Sequence, residues 1–221
     1  MNETSKTKKI WTAAEWEILQ GRGIDIGGGP DVVSPNARRF DMEDGDANEI
    51  TRFVSDQFDF VYSSHCLEHM REPRKVILDW WRLVKPGGHL MFAVPDEDLY
   101  EQGVFPSRFN PDHKATFTVA KRRSWSPVSI NVLDLARSLP GGDIVRIELH
   151  DQNYDRRLHK HGEVPPLGPA MAMAKRVYLS MKRRFSADLP FLNRMLEKRE
   201  AVDQTLRPDV LAQIQCIVRK R

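Results

Sequence analysis

The eight residues Gly23-Ile24-Asp25-Ile26-Gly27-Gly28-Gly29-Pro30 constrain this chain more than any other stretch. Small apolar residues run straight into three consecutive glycines. That order predicts a buried strand over 22–27, ending in a turn where backbone can approach a ligand closely. No Lys-Ser/Thr follows, which excludes a phosphate-cradling P-loop. A full dinucleotide fingerprint needs a small residue at position 32, where Val32 stands. A strand, a Gly-x-Gly turn and one acid within the strand, Asp25, are what remain.

Strand and helix signals alternate after the turn. Arg38–Met42 reads as a short second strand, and Phe58–Ser64 as a strand rich in β-branched and aromatic residues. Glu72-Pro73 opens a helix with proline in its first turn. Val76, Ile77, Trp80, Leu83 and Val84 follow at helical spacing until Lys85-Pro86-Gly87-Gly88 stops it. His89–Val94 is the next strand. Residues 127–139 read as a helix, Ile144–Leu149 as a strand, 164–206 as a mostly helical insertion and Val210–Val218 as the last strand. Ahead of the glycines, 1–9 reads as disordered and 10–20 as a short helix or lid. The alternation predicts an α/β fold with a mostly parallel sheet and helices on both faces. At 221 residues the chain suits one domain, 1–221, with 164–206 inserted in it. The irregular 97–125 stretch is long enough to predict a functional loop.

Composition narrows the partners. The net charge of +3 does not argue for nucleic acid. Cys66 and Cys216 form no disulfide or zinc pattern, so a reducing, cytoplasmic compartment is expected. The polar start, with Lys6, Lys8 and Lys9, is unlike a secretory signal, and no apolar run is long enough to span a bilayer.

Ligands of an open α/β sheet sit at the carboxyl ends of its strands. Those ends carry Gly27-Gly28-Gly29, Asp41 with Gly45-Asp46-Ala47 beyond it, Ser63-Ser64-His65, and Pro95-Asp96. Together with Asp25-Ile26-Gly27-Gly28-Gly29, Phe58-Asp59-Phe60-Val61, Leu67-Glu68-His69 and Leu83-Val84-Lys85-Pro86-Gly87-Gly88, this set resembles the class I S-adenosylmethionine-dependent methyltransferases. It is most similar to the small bacterial, type 11-like group with a Leu-Glu-His signature. The resemblance covers 22–96 in the family's order and covers 97–206 poorly. It implies a Rossmann-like, seven-stranded mostly parallel sheet, with a helical insertion before the last strand, and S-adenosylmethionine as cofactor. It also implies roles. Gly27, Gly28 and Gly29 lie against the methionine and ribose parts, with Asp25 near the cofactor amino group through water or backbone. Asp41 accepts from the ribose hydroxyls, Glu43 and Asp44 being the alternatives. Asp46 and Ala47 contact the adenine, and Ser64 and His65 line the reacting methyl group.

A carboxylate can accept from both hydroxyls of a ribose at once, which suits Asp41 to that place. Methyl transfer to a hydroxyl needs an acceptor held in line and a group to take its proton. Histidine titrates near neutrality. The candidates are His65, His69 and His113, with Asp96 as an acceptor or orienter; His69 reads first as a helix-entry residue and only then as a base. A metal site from these histidines is not expected, because their spacing fits no usual zinc pattern. The expected substrate is a small molecule or a sugar or glycan hydroxyl. The other reading is a non-catalytic cofactor-binding partner subunit of the same fold.

The stretch 169–186 stands apart. It is basic through Lys175, Arg176, Lys182, Arg183 and Arg184, and Met173, Val177, Met181 and Phe185 recur every four residues. Such a helix packs its stripe against the sheet edge or active site, or contacts an anionic membrane or acidic partner. Its basic face is also suited to attracting an anionic acceptor.

Overall fold

The computed structural model describes residues 3–185, 190–197 and 199–221. Parts of the expected 164–206 insertion, namely 186–189 and 198, lie outside the described residues, as does the end of the basic 169–186 stretch.

The polar start is ordered from residue 3 onward. Helix α1 (Glu3–Lys8) is followed by α2 (Ala13–Ile18). Disorder was the expectation from polarity, but the polar groups of α1 have partners. Lys6 Nζ donates to the Thr205 carbonyl, Ser5 N donates to Asp31 Oδ2 at 2.8 Å, and Thr7 Oγ1 accepts from Gln213 Nε2 at 2.9 Å. Helix α2 starts at a reciprocal capping pair between Thr12 and Glu15.

Strand β1 (Gly23–Ile26) is buried throughout and pairs in parallel with β2 (Ala37–Phe40) and β3 (Phe58–Ser64). Gly23 has no room for a side chain, since a Cβ there would lie 2.0 Å from the Phe60 ring. Helix α3 (Pro73–Arg82) leads into β4 (Val84–Pro95), which is parallel to β3. The chain continues through β5 (Thr116–Thr118), β6 (Ser129–Asn131), α4 (Val132–Arg137), β7 (Gly142–His150), α5 (Pro169–Phe185), α6 (Pro190–Glu197) and β8 (Gln213–Lys220). The helix expected over 127–139 is thus shorter, its first part being β6, which pairs with β5 as a separate two-stranded sheet.

Among the described residues the main sheet has six strands, in the order β2-β1-β3-β4-β8-β7. The first four are parallel, and β8 runs antiparallel between β4 and β7. Seven strands were implied by resemblance, and the missing one has a local cause. Between β2 and β3 the chain forms a turn rich in acids and the 3-10 helix Ala47–Arg52, leaving no segment for a further strand and crossover helix. Strand β2 therefore remains the edge.

Both faces of the sheet are covered. Val61, Ile77, Trp80, Leu90, Phe92 and Leu135 share one apolar layer, which includes α3 and α4 residues. Phe60, Tyr62, Met91 and Ile217 share the other with Leu19 and Val33. The alternation of Phe60, Val61 and Tyr62 between layers is the two-residue period of a strand buried on both sides. Trp80 also donates Nε1 to the Ala47 carbonyl at 3.1 Å, which ties α3 to the 3-10 helix beside the site.

On α5, Tyr178 is the buried residue, whereas Met173, Val177 and Met181 are exposed. These three stripe residues face away from the protein instead of packing on it. No helix among the described residues is long and apolar enough to cross a membrane.

Candidate active site

The carboxyl ends of β1, β2 and β3 open into a cavity of about 600 Å3, walled in part by Gly27, Phe40, Asp41, Asp46, Ala47, His65, Cys66 and His69. A second cavity of about 250 Å3 adjoins it and shares Gly27, His65 and His69 as walls. Gly28, Ser64, Glu68, Tyr100 and His113 line this smaller one, as do Glu3 and Thr4 of α1.

The glycine turn is shaped by its backbone. Gly27 and Gly29 take φ of 77° and 50°, the left-handed region where a side chain is strained. Asp25 sits behind the turn, fully buried, and faces neither cavity directly. Its Oδ2 accepts the Val33 N–H at 2.7 Å, and Oδ1 has no hydrogen-bond partner. Burial pushes its carboxyl up to about 7, against the pull of the Val33 N–H. The sign for stability follows from linkage. Between the ordinary aspartate value of 3.8 and about 7, native Asp25 keeps a proton that the unfolded chain has released. Stability therefore falls as pH rises across that window and levels off above it. The Asp25→Asn variant keeps an oxygen for Val33 and removes this dependence. Urea titrations at pH 5 and pH 8 will show the parent losing about 2 kcal/mol more than the variant across the interval. Equal losses in both would refute the buried carboxylate as the cause.

Asp41 ends β2 with its carboxylate in the larger cavity. Oδ2 accepts the Gly29 N–H at 2.9 Å, Oδ1 accepts the Met42 N–H at 2.8 Å, and Arg39 stands 3.4 Å away. The two neighbouring acids are turned elsewhere: Asp44 accepts the Asp41 N–H at 2.9 Å, and Glu43 pairs with Arg39. Neither lines the cavity. Asp46 caps the 3-10 helix, accepting from Asn48 N at 2.9 Å and Nδ2 at 2.7 Å, and pairs with Arg71 at 3.0 Å. The Asn48 bonds hold its carboxyl below the usual range. Gly29 and Asp25 thus support the turn from outside the cavities, while Gly27, Gly28, Asp41, Asp46, Ala47, Ser64, His65, His69 and His113 line them.

The three histidines come together, but their environments differ. His65 follows β3 with a φ of 52°. Its Nε2 lies 2.8 Å from Gln213 Oε1, and its Nδ1 lies 3.4 Å from Glu68 Oε1. Burial opposes its charging, yet Glu68 outweighs this and raises it to about 9. His69 places Nδ1 2.9 Å from Asp112 Oδ2. His113 places Nδ1 2.6 Å from Glu101 Oε1, both side chains being buried. The two rings are 4.9 Å apart, centre to centre.

The loop 97–125 delivers His113 because it is pinned at both ends. Glu97, fully buried, accepts from Ser124 Oγ at 2.7 Å and Ser129 Oγ at 2.6 Å. Lys114 N and Ala115 N both donate to the Glu68 carbonyl, at 2.8 and 3.3 Å, which fastens the loop to the Leu67–His69 turn. Asp96, the remaining candidate, accepts from Asp98 N and Leu99 N at 3.1 and 3.0 Å and starts this loop without lining either of the two cavities.

Two residues were missed from sequence. Glu68 lay inside the quoted Leu-Glu-His motif but was not assigned a role; its side chain is buried and neither oxygen receives a hydrogen bond. Glu101 carried no local signal, because its partner His113 is twelve residues away across an irregular loop.

The sequence model of a family described as a methyltransferase domain matches residues 4–127. No curated protein matches the sequence. Among solved structures, a candidate sarcosine dimethylglycine methyltransferase from Galdieria sulphuraria is similar at 16% identity, over 97% of this chain and 82% of that one, with a TM-score of 0.51. A SAM-dependent methyltransferase from Archaeoglobus fulgidus is similar at 14% identity, over 100% of this chain and 95% of that one, with a TM-score of 0.48.

Proposed function

This chain belongs to the methyltransferase-domain family, and we propose that the acceptor of its methyl group is a hydroxyl on a small molecule or a sugar or glycan. Its methyl donor is read as S-adenosylmethionine, because the glycine turn, Asp41 and Asp46 wall one cavity at the strand ends of a methyltransferase-domain chain. The Leu67-Glu68-His69 turn supports placing it with the small bacterial group that carries this signature. One observation carries the hydroxyl reading: the larger cavity meets a smaller, polar one at Gly27, His65 and His69, and the smaller one holds Glu68 and the Glu101-braced His113.

S-Adenosylmethionine supplies a methyl group on a sulfonium, which is a ready leaving group. The larger cavity suits its nucleoside: Asp41 accepts from the ribose hydroxyls, and Asp46 and Ala47 border the adenine. The left-handed Gly27 lets backbone lie close to the methionine end. Asp25, behind the turn, serves the amino-group end through the backbone it holds, by accepting the Val33 N–H. At the other side of Gly27, the acceptor oxygen is held in line. With the cofactor bound, that oxygen would take the methyl carbon as the carbon–sulfur bond breaks, and Glu68, His69 and His113 would be placed to receive its proton. His65, engaged at Nε2 by Gln213 and facing Glu68 at Nδ1, serves to position Glu68 and not to take a proton.

Calorimetric titration with S-adenosylmethionine, followed by incubation with hydroxylated acceptors and detection of S-adenosylhomocysteine, tests this. Binding with turnover on a hydroxyl is expected. Binding without turnover on any acceptor would favour the non-catalytic partner subunit, and absence of binding would overturn both.

A further inference from the structure

We propose that Glu68, His69 and His113 form a binding site for a divalent transition-metal ion at the acceptor end of the site. Their ligand atoms, one from each residue, lie within 4.8 Å of one another. Two imidazoles and a carboxylate is a donor set that suits zinc, manganese or iron(II) better than calcium or magnesium. Three protein ligands leave coordination positions open, as in metal sites that receive a substrate and unlike closed structural ones.

Two independent observations point to a cation here. The first is Glu68. Its side chain is 1% exposed, it lines the smaller cavity, and neither carboxylate oxygen receives a hydrogen bond. A buried carboxylate without a hydrogen bond is costly, and the His65 Nδ1 at 3.4 Å gives it an electrostatic neighbour but no hydrogen bond. A bound cation would satisfy it. The second is the bracing of the histidines. Each has Nδ1 against a carboxylate, His69 on Asp112 at 2.9 Å and His113 on Glu101 at 2.6 Å. Metal-binding imidazoles are held in this way, the outer carboxylate fixing the tautomer that presents the other nitrogen to the metal. In both rings Nε2 is then the nitrogen available as a ligand.

The preorganisation is built into the backbone. Glu68 and His69 are adjacent on one turn, and the paired hydrogen bonds from Lys114 N and Ala115 N to the Glu68 carbonyl hold His113 beside them. These residues show no regular spacing in sequence, which is why the pattern escapes motif reading. The site's use rests on the methyltransferase reading: an open position would receive the acceptor oxygen beside Gly27 and ease the loss of its proton.

The test uses the full chain, freed of metal by chelator and dialysis, and titrated calorimetrically with zinc chloride and separately with manganese chloride. One equivalent of at least one ion should bind with micromolar or tighter affinity. Cobalt(II) loading should give visible absorption bands of a nitrogen-and-oxygen site. His69→Ala should lower the affinity at least a hundredfold. Asp112→Ala, at an exposed position that braces His69 and touches no metal, should lower it about 10- to 100-fold while leaving the fold intact. Absence of uptake, or uptake that survives both substitutions, would overturn the proposal. S-Adenosylmethionine binding is measured on the same samples. Cofactor binding without metal uptake would sink the cation site alone and leave a metal-free histidine pair to take the proton. Loss of cofactor binding in the unaltered protein would sink the methyltransferase reading instead.

Discussion

Asp41→Ala will weaken S-adenosylmethionine binding by roughly a hundredfold, or about 3 kcal/mol, the scale of hydrogen bonds to a charged acceptor in a partly enclosed site. The carboxylate is already oriented. Its two oxygens hold the Gly29 and Met42 N–H groups, and Arg39 flanks it, so it meets the ribose without reorganising. Removing it takes away both the ribose acceptor and the bond that fixes the second left-handed glycine. Melting of the free protein separates these effects. A turn that stays folded keeps its melting temperature, and the loss then appears only in the calorimetric affinity. Unchanged affinity would move the role to Asp44 or Glu43. That outcome would require one of these side chains to abandon the partner it now has.

His113→Gln will lower turnover about a thousandfold while S-adenosylmethionine affinity stays within about threefold. His113 lines the smaller cavity and not the larger, so the cofactor should not register its loss. Glutamine can still donate an N–H to Glu101, which spares that buried carboxylate from standing alone. What it lacks is an imidazole nitrogen able to take a proton or hold a metal ion. Rates measured at saturating cofactor, as S-adenosylhomocysteine formed on the acceptor found by screening, give the answer. A variant that retains most of its turnover would remove His113 from the reaction and leave His69 as the remaining histidine.

The sequence was most legible where chemistry and local geometry coincide. Three glycines after an apolar run have few structural meanings, and the strand, the turn and the acid ending β2 all appear within a residue or two of the expected places. Helix α3 was equally plain, since its start at Pro73 and its apolar spacing are local signals. Other features depend on distant partners. Helix α1 is ordered by Asp31, Thr205 and Gln213, none of which its own polar sequence announces. The Glu101–His113 pair exists because Glu97 and the Glu68 carbonyl pin an irregular loop. The stripe on α5 had the right period for a buried face, but periodicity shows only that a face exists and not what covers it.

The position of β8 has a consequence for how the protein is made. It is the last strand of the sheet to leave the ribosome, yet it is inserted between β4 and β7. Until it emerges, two strand edges stand open, the state in which nascent sheets are most apt to pair wrongly. Gln213, at the head of that strand, also accepts from His65 and donates to Thr7 of α1. One late side chain thus joins the strand-end histidine to the first helix. The strand-end histidine can take its place in the site only after β8 has paired, and a chaperone that shields the β4 and β7 edges in the interval would raise the yield of folded protein.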